Sequence, residues 1–156
     1  MPKIEVSIAV NKDKKDIFEL IKHLEHFPIF VKDIKNIKVV ERYPNRIITD
    51  WEANIDGARV IWREEDRFDN FNSTMYFTML KGDFKGYKGK WVIAKHKKIS
   101  KIYLLVDFDW GIPIFERFVG DILLRKARVY LKGMLKAIKK KIENEKLVNL
   151  LVLFIH

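Results

Sequence analysis

The sequence predicts an α+β fold: a curved, mainly antiparallel sheet that grips one long C-terminal helix, with an apolar pocket between them. Three observations predict it. Seven stretches alternate apolar and polar residues and are joined mostly by short turn sequences. A helical pattern interrupts them after the first. A proline-free run from Pro113 to about Lys146 then carries apolar residues every three or four positions. A chain of 156 residues, 48% of them hydrophobic, is the size of one domain with one continuous core. We take 1–146 as that domain and 147–156 as an apolar tail.

Ile4, Val6, Ile8 and Val10 alternate with Glu5, Ser7 and Ala9, the pattern of a half-buried strand. Asn11 or Asp13 is placed to cap a helix with Ile17, Phe18, Ile21 and Leu24 on one face. Pro28 limits that helix, because the residue before a proline is pushed out of the α region. His26 to Val31 is too apolar for a free loop, so a second short helix lying across the sheet is expected there. The remaining strands are expected at Ile37–Glu41, Arg46–Asp56, Ala58–Phe68, Ser73–Leu80, Tyr87–Lys95 and Lys101–Asp109. Asp56-Gly57 is a strong hairpin signal between the second and third of these. Pro113 suits the first turn of the final helix, roughly 45–50 Å long at 1.5 Å per residue. Its apolar stripe is Leu123, Ala127, Tyr130, Leu131, Met134, Ile138 and Ile142.

Composition narrows the function classes. Without cysteine there are no disulfides, thiolate zinc sites or cysteine nucleophiles, which fits a reducing cytoplasm. The N-terminus MPKIEVSIAV reads as a strand rather than a signal peptide, and no segment reaches the roughly 18 apolar residues of a spanning helix. Asn149 interrupts the tail Leu147–Ile155, which extends the helix, packs on a partner subunit, covers the sheet or dips into lipid. The net charge of +10 is mostly lysine spread over the chain, as on heat-adapted surfaces; a nucleic-acid, ribosomal or anionic-membrane partner would instead use the Lys139-Lys140-Lys141 cluster. His23, His26, His96 and His156 are too scattered for a metal site, and no cofactor is expected.

Parity along the strands nominates the interior. Ile47, Thr49, Trp51, Ala53 and Ile55 share one face of their strand; Val60, Trp62, Glu64, Asp66 and Phe68 share one face of the next. Arg59, Arg63, Glu65 and Arg67 then form a charged outer face. We group Tyr76 with Thr78, and Tyr87 with Gly89, Trp91 and Ile93; the parity of the last strand stays open. Trp51, Trp62, Trp91 and Tyr87, with Phe30, Leu123, Ala127, Tyr130 and Met134 from the helices, are the expected pocket walls, aromatic surfaces with sparse polar groups to orient a small molecule. Glu64 and Asp66 are the candidate acid/base carboxylates, with Tyr76 or Tyr87 as donor. A bulge or strand end would place both carboxylates in solvent instead.

The segments Ile48 to Ala53, Asp56-Gly57, Val60 to Asp66, Asp69, Gly82-Asp83-Phe84, Tyr87 to Trp91, and Asp107-Phe108-Asp109 leading into Gly111-Ile112-Pro113 together resemble the polyketide cyclase/dehydrase and coenzyme Q-binding branch of the START-like superfamily. His26 to Val31 resembles that family's short second helix. The resemblance covers residues 3 to 145 and implies a helix-grip fold of order β-α-α-β6-α, with a cavity for lipids, sterols, quinones or aromatic polyketides. Trp62 and Trp91 match family aromatic positions. Arg63 and Arg67 lie near an arginine of the family's cyclases, but alternation turns both outward here. Three functions follow as expectations: a carrier of a hydrophobic small molecule, a cyclase or dehydratase in the same pocket, or a ribosome- or RNA-associated module. A homodimer and a membrane contact through the basic last helix and tail are the further partner expectations.

Overall fold

The computed structural model describes the backbone of residues 3–83, 85–109 and 113–155 and, within the final helix, the side chains of residues 122 and 124–144. Leu123 and the tail, 147–155, were singled out from the sequence; their side chains lie outside the described residues.

The elements follow the order β-α-α-β6-α. They are β1 (Lys3–Val10), α1 (Lys14–Lys22), a 3-10 turn (Leu24–His26), α2 (Phe27–Phe30), β2 (Ile34–Tyr43), β3 (Arg46–Ile55), β4 (Ala58–Asp69), β5 (Thr74–Gly82), β6 (Gly86–His96), β7 (Ile99–Asp109) and α3 (Pro113–Ile155). One seven-stranded antiparallel sheet runs in the order β1-β7-β6-β5-β4-β3-β2. Five hairpins join the strands β2 to β7, and the chain crosses between the two edges only once, through α1 and α2. This is the helix-grip architecture.

Several boundaries moved from expectation. α1 stops at Lys22, before the proline, and Leu24 is buried in the 3-10 turn. Pro28 sits inside the first turn of α2, where its missing N–H costs nothing. Asp13 occupies the N-cap position of α1 with extended backbone, but its side chain makes no capping bond. β2 begins at Ile34, three residues earlier than alternation alone suggests, with bulges that scramble its pattern. α3 continues through the tail to Ile155 as one helix.

The core lies on the concave side. Ile17, Phe18 and Ile21 of α1 and Phe27 of α2 bury against it, Phe27 meeting Trp91 edge-on at 6.1 Å. From α3 come Leu135, Ile138 and Ile142, each worth about 1.5–3 kcal/mol when removed from water. Leu135 was not in the expected stripe; Ala127, Leu131 and Met134 are half-buried against the core. Lys132 of α3 donates through Nζ to the carbonyl of Ser7, occupying an edge group of β1 that has no strand neighbour. At the opposite edge of the concavity α3 is tied to the β3–β4 turn. Asp56 (φ 52°) and Gly57 (φ 81°) both take positive φ, as a two-residue hairpin turn requires. Asp56 Oδ2 accepts from Lys126 Nζ at 2.6 Å and Oδ1 from the Tyr130 hydroxyl at 2.7 Å, while the Asp56 N–H donates to that same hydroxyl.

Candidate functional site

The β3–β4 hairpin builds the site. Counting outward from its turn pairs Trp51 with Trp62, Thr49 with Glu64 and Ile47 with Asp66, all facing inward. The two indoles stack at 5.2 Å with planes 19° apart. Beside them Tyr87 of β6 meets Trp62 edge-on at 6.1 Å and touches Phe77 and Phe108 at 5.5 and 6.0 Å. Two glycines let the strands close up here. A Cβ on Gly82 would lie 2.5 Å from that of Trp62, and one on Gly89 would strike the Phe77 ring at 2.7 Å and the Leu105 carbonyl oxygen at 2.0 Å.

Inside this aromatic wall sit the two carboxyls nominated from parity. Glu64 is 3% exposed and Asp66 0%. Glu64 Oε1 accepts from Trp62 Nε1 at 2.8 Å and from the Tyr87 hydroxyl in a shorter bond. Asp66 Oδ2 accepts from the Thr49 hydroxyl at 2.7 Å, and Thr49 in turn accepts from Trp51 Nε1 at 2.8 Å. Asp66 Oδ1, fully buried, accepts no hydrogen bond among the described residues, and the Glu64 carboxyl lies within hydrogen-bond reach of Asp66. Among the described residues no lysine, arginine or histidine pairs with either carboxyl. Burial, and secondly the negative charge of Glu64, hold the Asp66 carboxyl well above the usual carboxylate range. Burial, then the same charge, pushes the Tyr87 phenol well up. The neighbourhood therefore favours the protonated form of the Asp66 carboxyl and sets acceptors and donors between flat aromatic walls.

The other nominated residues divide. Trp91 is buried against Phe27, and Phe30 packs on Phe27 at 5.6 Å, so both belong to the core next to α2. Ala127 and Met134 line the core side of α3, while Tyr130 is spent on the Asp56 tie. Tyr76 stands on the opposite side of the sheet, 46% exposed, across from Arg67 and Lys90; Thr78 shares that side. The interior residues of β5 are Met75 and Phe77, and Phe77 faces Asp66 directly. Parity on β7 resolves with Ile102, Leu104 and Val106 inward. Thr49 and Phe77 were not nominated as site residues. Thr49 was recognisable only as a polar residue in a buried alternation, and Phe77 needed the β4–β5 register.

Arg63 and Arg67 turn outward as alternation predicts, Arg63 forking onto Asp50 at 2.6 and 2.9 Å and Arg67 onto Glu65 at 2.6 Å. The two described grooves lie away from this cluster. One, about 760 Å³, runs over the outward side of β5, β6, β7 and β1 past Tyr76, Lys88, Lys90 and Asp107. The other, about 460 Å³, separates α1 from the β2–β3 turn. Both are open and wet, and neither reaches the two buried carboxyls, so the chemistry rather than groove volume marks the site. Among the described residues no cluster of metal-ligating side chains occurs, and no helix is long and apolar enough to cross a membrane.

Residues 10–139 match the sequence model of the family described as polyketide cyclase / dehydrase and lipid transport. No curated protein matches the sequence. Solved structures share the fold. A protein of Thermus thermophilus superposes with a TM-score of 0.87 at 24% identity, over 92% of this chain and 99% of that one. The Zhui aromatase/cyclase of Streptomyces sp. R1128 gives 0.82 at 11% identity, over 91% and 93%. A START superfamily protein of Mycobacterium smegmatis gives 0.78 at 16%, over 91% and 97%. At these identities the likeness establishes architecture, not chemistry.

Proposed function

The chain belongs to the polyketide cyclase/dehydrase and lipid transport family, and from that premise we propose that it binds a hydrophobic small molecule between the sheet and α3, as a carrier. The observation that carries this reading is the aromatic box of Trp51, Trp62, Tyr87 and Phe77 around two buried carboxyls that pair with no cation among the described residues. A core built only for stability has little use for two acids that must be desolvated without a counter-charge. A ligand site, in contrast, needs apolar walls and a few oriented polar groups. The aromatase/cyclase among the structural relatives supports a flat polycyclic or lipid-like occupant.

Loading from an anionic bilayer fits the outward side of α3. Its exposed residues from 122 to 144 include Arg125, Lys126, Arg128, Lys136 and Lys140, with Ile122 and Val129 50% and 71% exposed. A second reading, a cyclase or dehydratase, is favoured by one contact. The Tyr87 hydroxyl bonded to Glu64, beside an Asp66 carboxyl whose titration is raised by burial, is an arrangement able to pass a proton to and from a carbonyl substrate.

Native mass spectrometry of the purified protein, followed by organic extraction, tests the binding reading. A stoichiometric quinone, lipid or aromatic compound is expected, with quenching of tryptophan fluorescence when it is added back. A ligand-free protein whose tryptophans respond to none of these classes sinks it.

A further inference from the structure

The outward side of the sheet is electrostatically divided. On β3 and β4 every outward arginine has its carboxylate: Arg46 and Arg67 share Glu65, Arg59 meets Glu52 and Arg63 meets Asp50. The groove of about 760 Å³ over β5, β6, β7 and β1 is different. Lys3, Lys88, Lys90 and, from α3, Arg128 line it, against the two acids Glu5 and Asp107. None of these four cations forms an ion pair among the described residues. Asp107 stands in register between Lys3 and Lys88, yet cations still outnumber acids in the groove.

Strand register sets a flat ring beside this charge. Tyr76, Lys90 and Leu105 form one line across β5, β6 and β7 on the outward side, and Thr78, Lys88 and Asp107 form the next. Directly opposed residues lie about 4.5–5.5 Å apart at Cβ, so the Tyr76 ring and the Lys90 ammonium can touch one ligand. Tyr76 is 46% exposed and takes no part in the concave core, to which β5 contributes Met75 and Phe77. An exposed ring that can stack on a base, beside an open groove of cations that can hold phosphates, is the makeup of a single-strand nucleic-acid site. Inorganic phosphate would leave the ring unused, and a duplex keeps its base faces stacked inside. The net charge of +10 acts in the same direction.

We propose that this outward groove is a second binding surface, for single-stranded nucleic acid: Tyr76 stacks on a base while Lys88, Lys90, Lys3 and Arg128 hold the neighbouring phosphates. It lies on the other side of the sheet from Glu64 and Asp66, goes beyond the carrier reading and stands or falls without it.

The test uses the full chain and a fluorescein-labelled oligo(U) of about 12 nucleotides. Binding is read by fluorescence anisotropy between about 50 and 200 mM salt, for variants first shown to unfold cooperatively. For the wild type we expect log K to fall linearly with log salt, by about 0.7 per phosphate contact. Lys88→Ala combined with Lys90→Ala should weaken binding about tenfold and make that slope shallower by about 1.4, one step for each lost contact. Tyr76→Ala should cost about tenfold, the worth of one stacked base, with the slope unchanged, while Tyr76→Phe keeps the ring and the wild-type affinity. A surface that attracts charge alone does not separate those two tyrosine variants. Absence of salt-dependent binding by the wild type overturns the proposal. So does binding that survives loss of the lysine pair and disappears on Lys136→Ala with Lys140→Ala, which would put the interface on α3. Wild-type affinity in Tyr76→Ala, with polyphosphate competing as well as unlabelled oligo(U), overturns nucleic-acid recognition and leaves a general polyanion surface. None of these outcomes bears on the concave site, which ligand extraction tests by itself.

Discussion

The β3–β4 hairpin carries two sets of carboxylates on the same pair of strands, and they live in opposite worlds. On the outward side Asp50 meets Arg63, Glu52 meets Arg59, and Glu65 meets Arg46 and Arg67, all wholly or partly in solvent. On the inward side Glu64 and Asp66, the two neighbours of Glu65 in the chain, have no cation among the described residues and are held by Thr49, Trp62 and Tyr87. A strand that only needed a stable sheet would place apolar residues inward, as β7 does with Ile102, Leu104 and Val106. The difference teaches that position on the pleat, rather than residue type, decides whether an acid stays in solvent beside an arginine or is desolvated among aromatic rings.

The largest break in that comparison comes from Thr49→Val. It strips Asp66 of its donor and Trp51 of its acceptor in a dry site, and we expect a loss of about 2–4 kcal/mol in urea denaturation. A loss under about 1 kcal/mol, the net worth of a single ordinary hydrogen bond, would show that water already reaches the cluster.

Next in size is a pH dependence of opposite sign on the two sides. The folded-state titration of Asp66 is raised above its unfolded value of 3.8. Its contribution is therefore complete below that unfolded value and is lost as pH rises through the raised one. Asp66→Asn should match the wild type near pH 4 and below, and become more stable than it as pH rises towards neutrality. Asp50 is lowered from 3.8, chiefly by its hydrogen bond from Arg63. Its contribution is present above 3.8 and is lost as pH falls through the lowered value, so Asp50→Asn should cost stability at neutral pH and little in strong acid. Thermal melts of both variants from acid to neutral pH check the two signs; parallel curves would erase the distinction.

The smallest effect belongs to Arg63→Ala. The pair is partly exposed, so we expect Tm to fall by no more than about 3 °C, and by less in concentrated salt. A larger, salt-resistant fall would mean that the outward pairs brace the hairpin that positions Trp51 and Trp62.

Much of this site is legible without coordinates. Asp56-Gly57 predicts a two-residue turn, and counting back from it sets Trp51 opposite Trp62 and Thr49 opposite Glu64. Tyr76 shows where that counting stops. The β4–β5 turn is longer, Ser73 within it takes a positive φ of 47°, and a register shift falls between Arg63 and Glu64. Each can flip the parity of β5, and a one-residue error exchanges Tyr76 for Phe77.

Alternation, turn chemistry and helical spacing were enough for the element order, the antiparallel sheet and the long last helix, because these depend on neighbours in the chain; they put Glu64 and Asp66 on one face and left burial or solvent open. The tertiary structure alone decided that Glu64 and Asp66 are buried, that Tyr76 faces outward, that Tyr130 and Lys126 clasp the β3–β4 turn, and that Tyr87 reaches Glu64. Those are contacts between residues distant in sequence, set by strand register and by how close two backbones can come, and no local pattern encodes them.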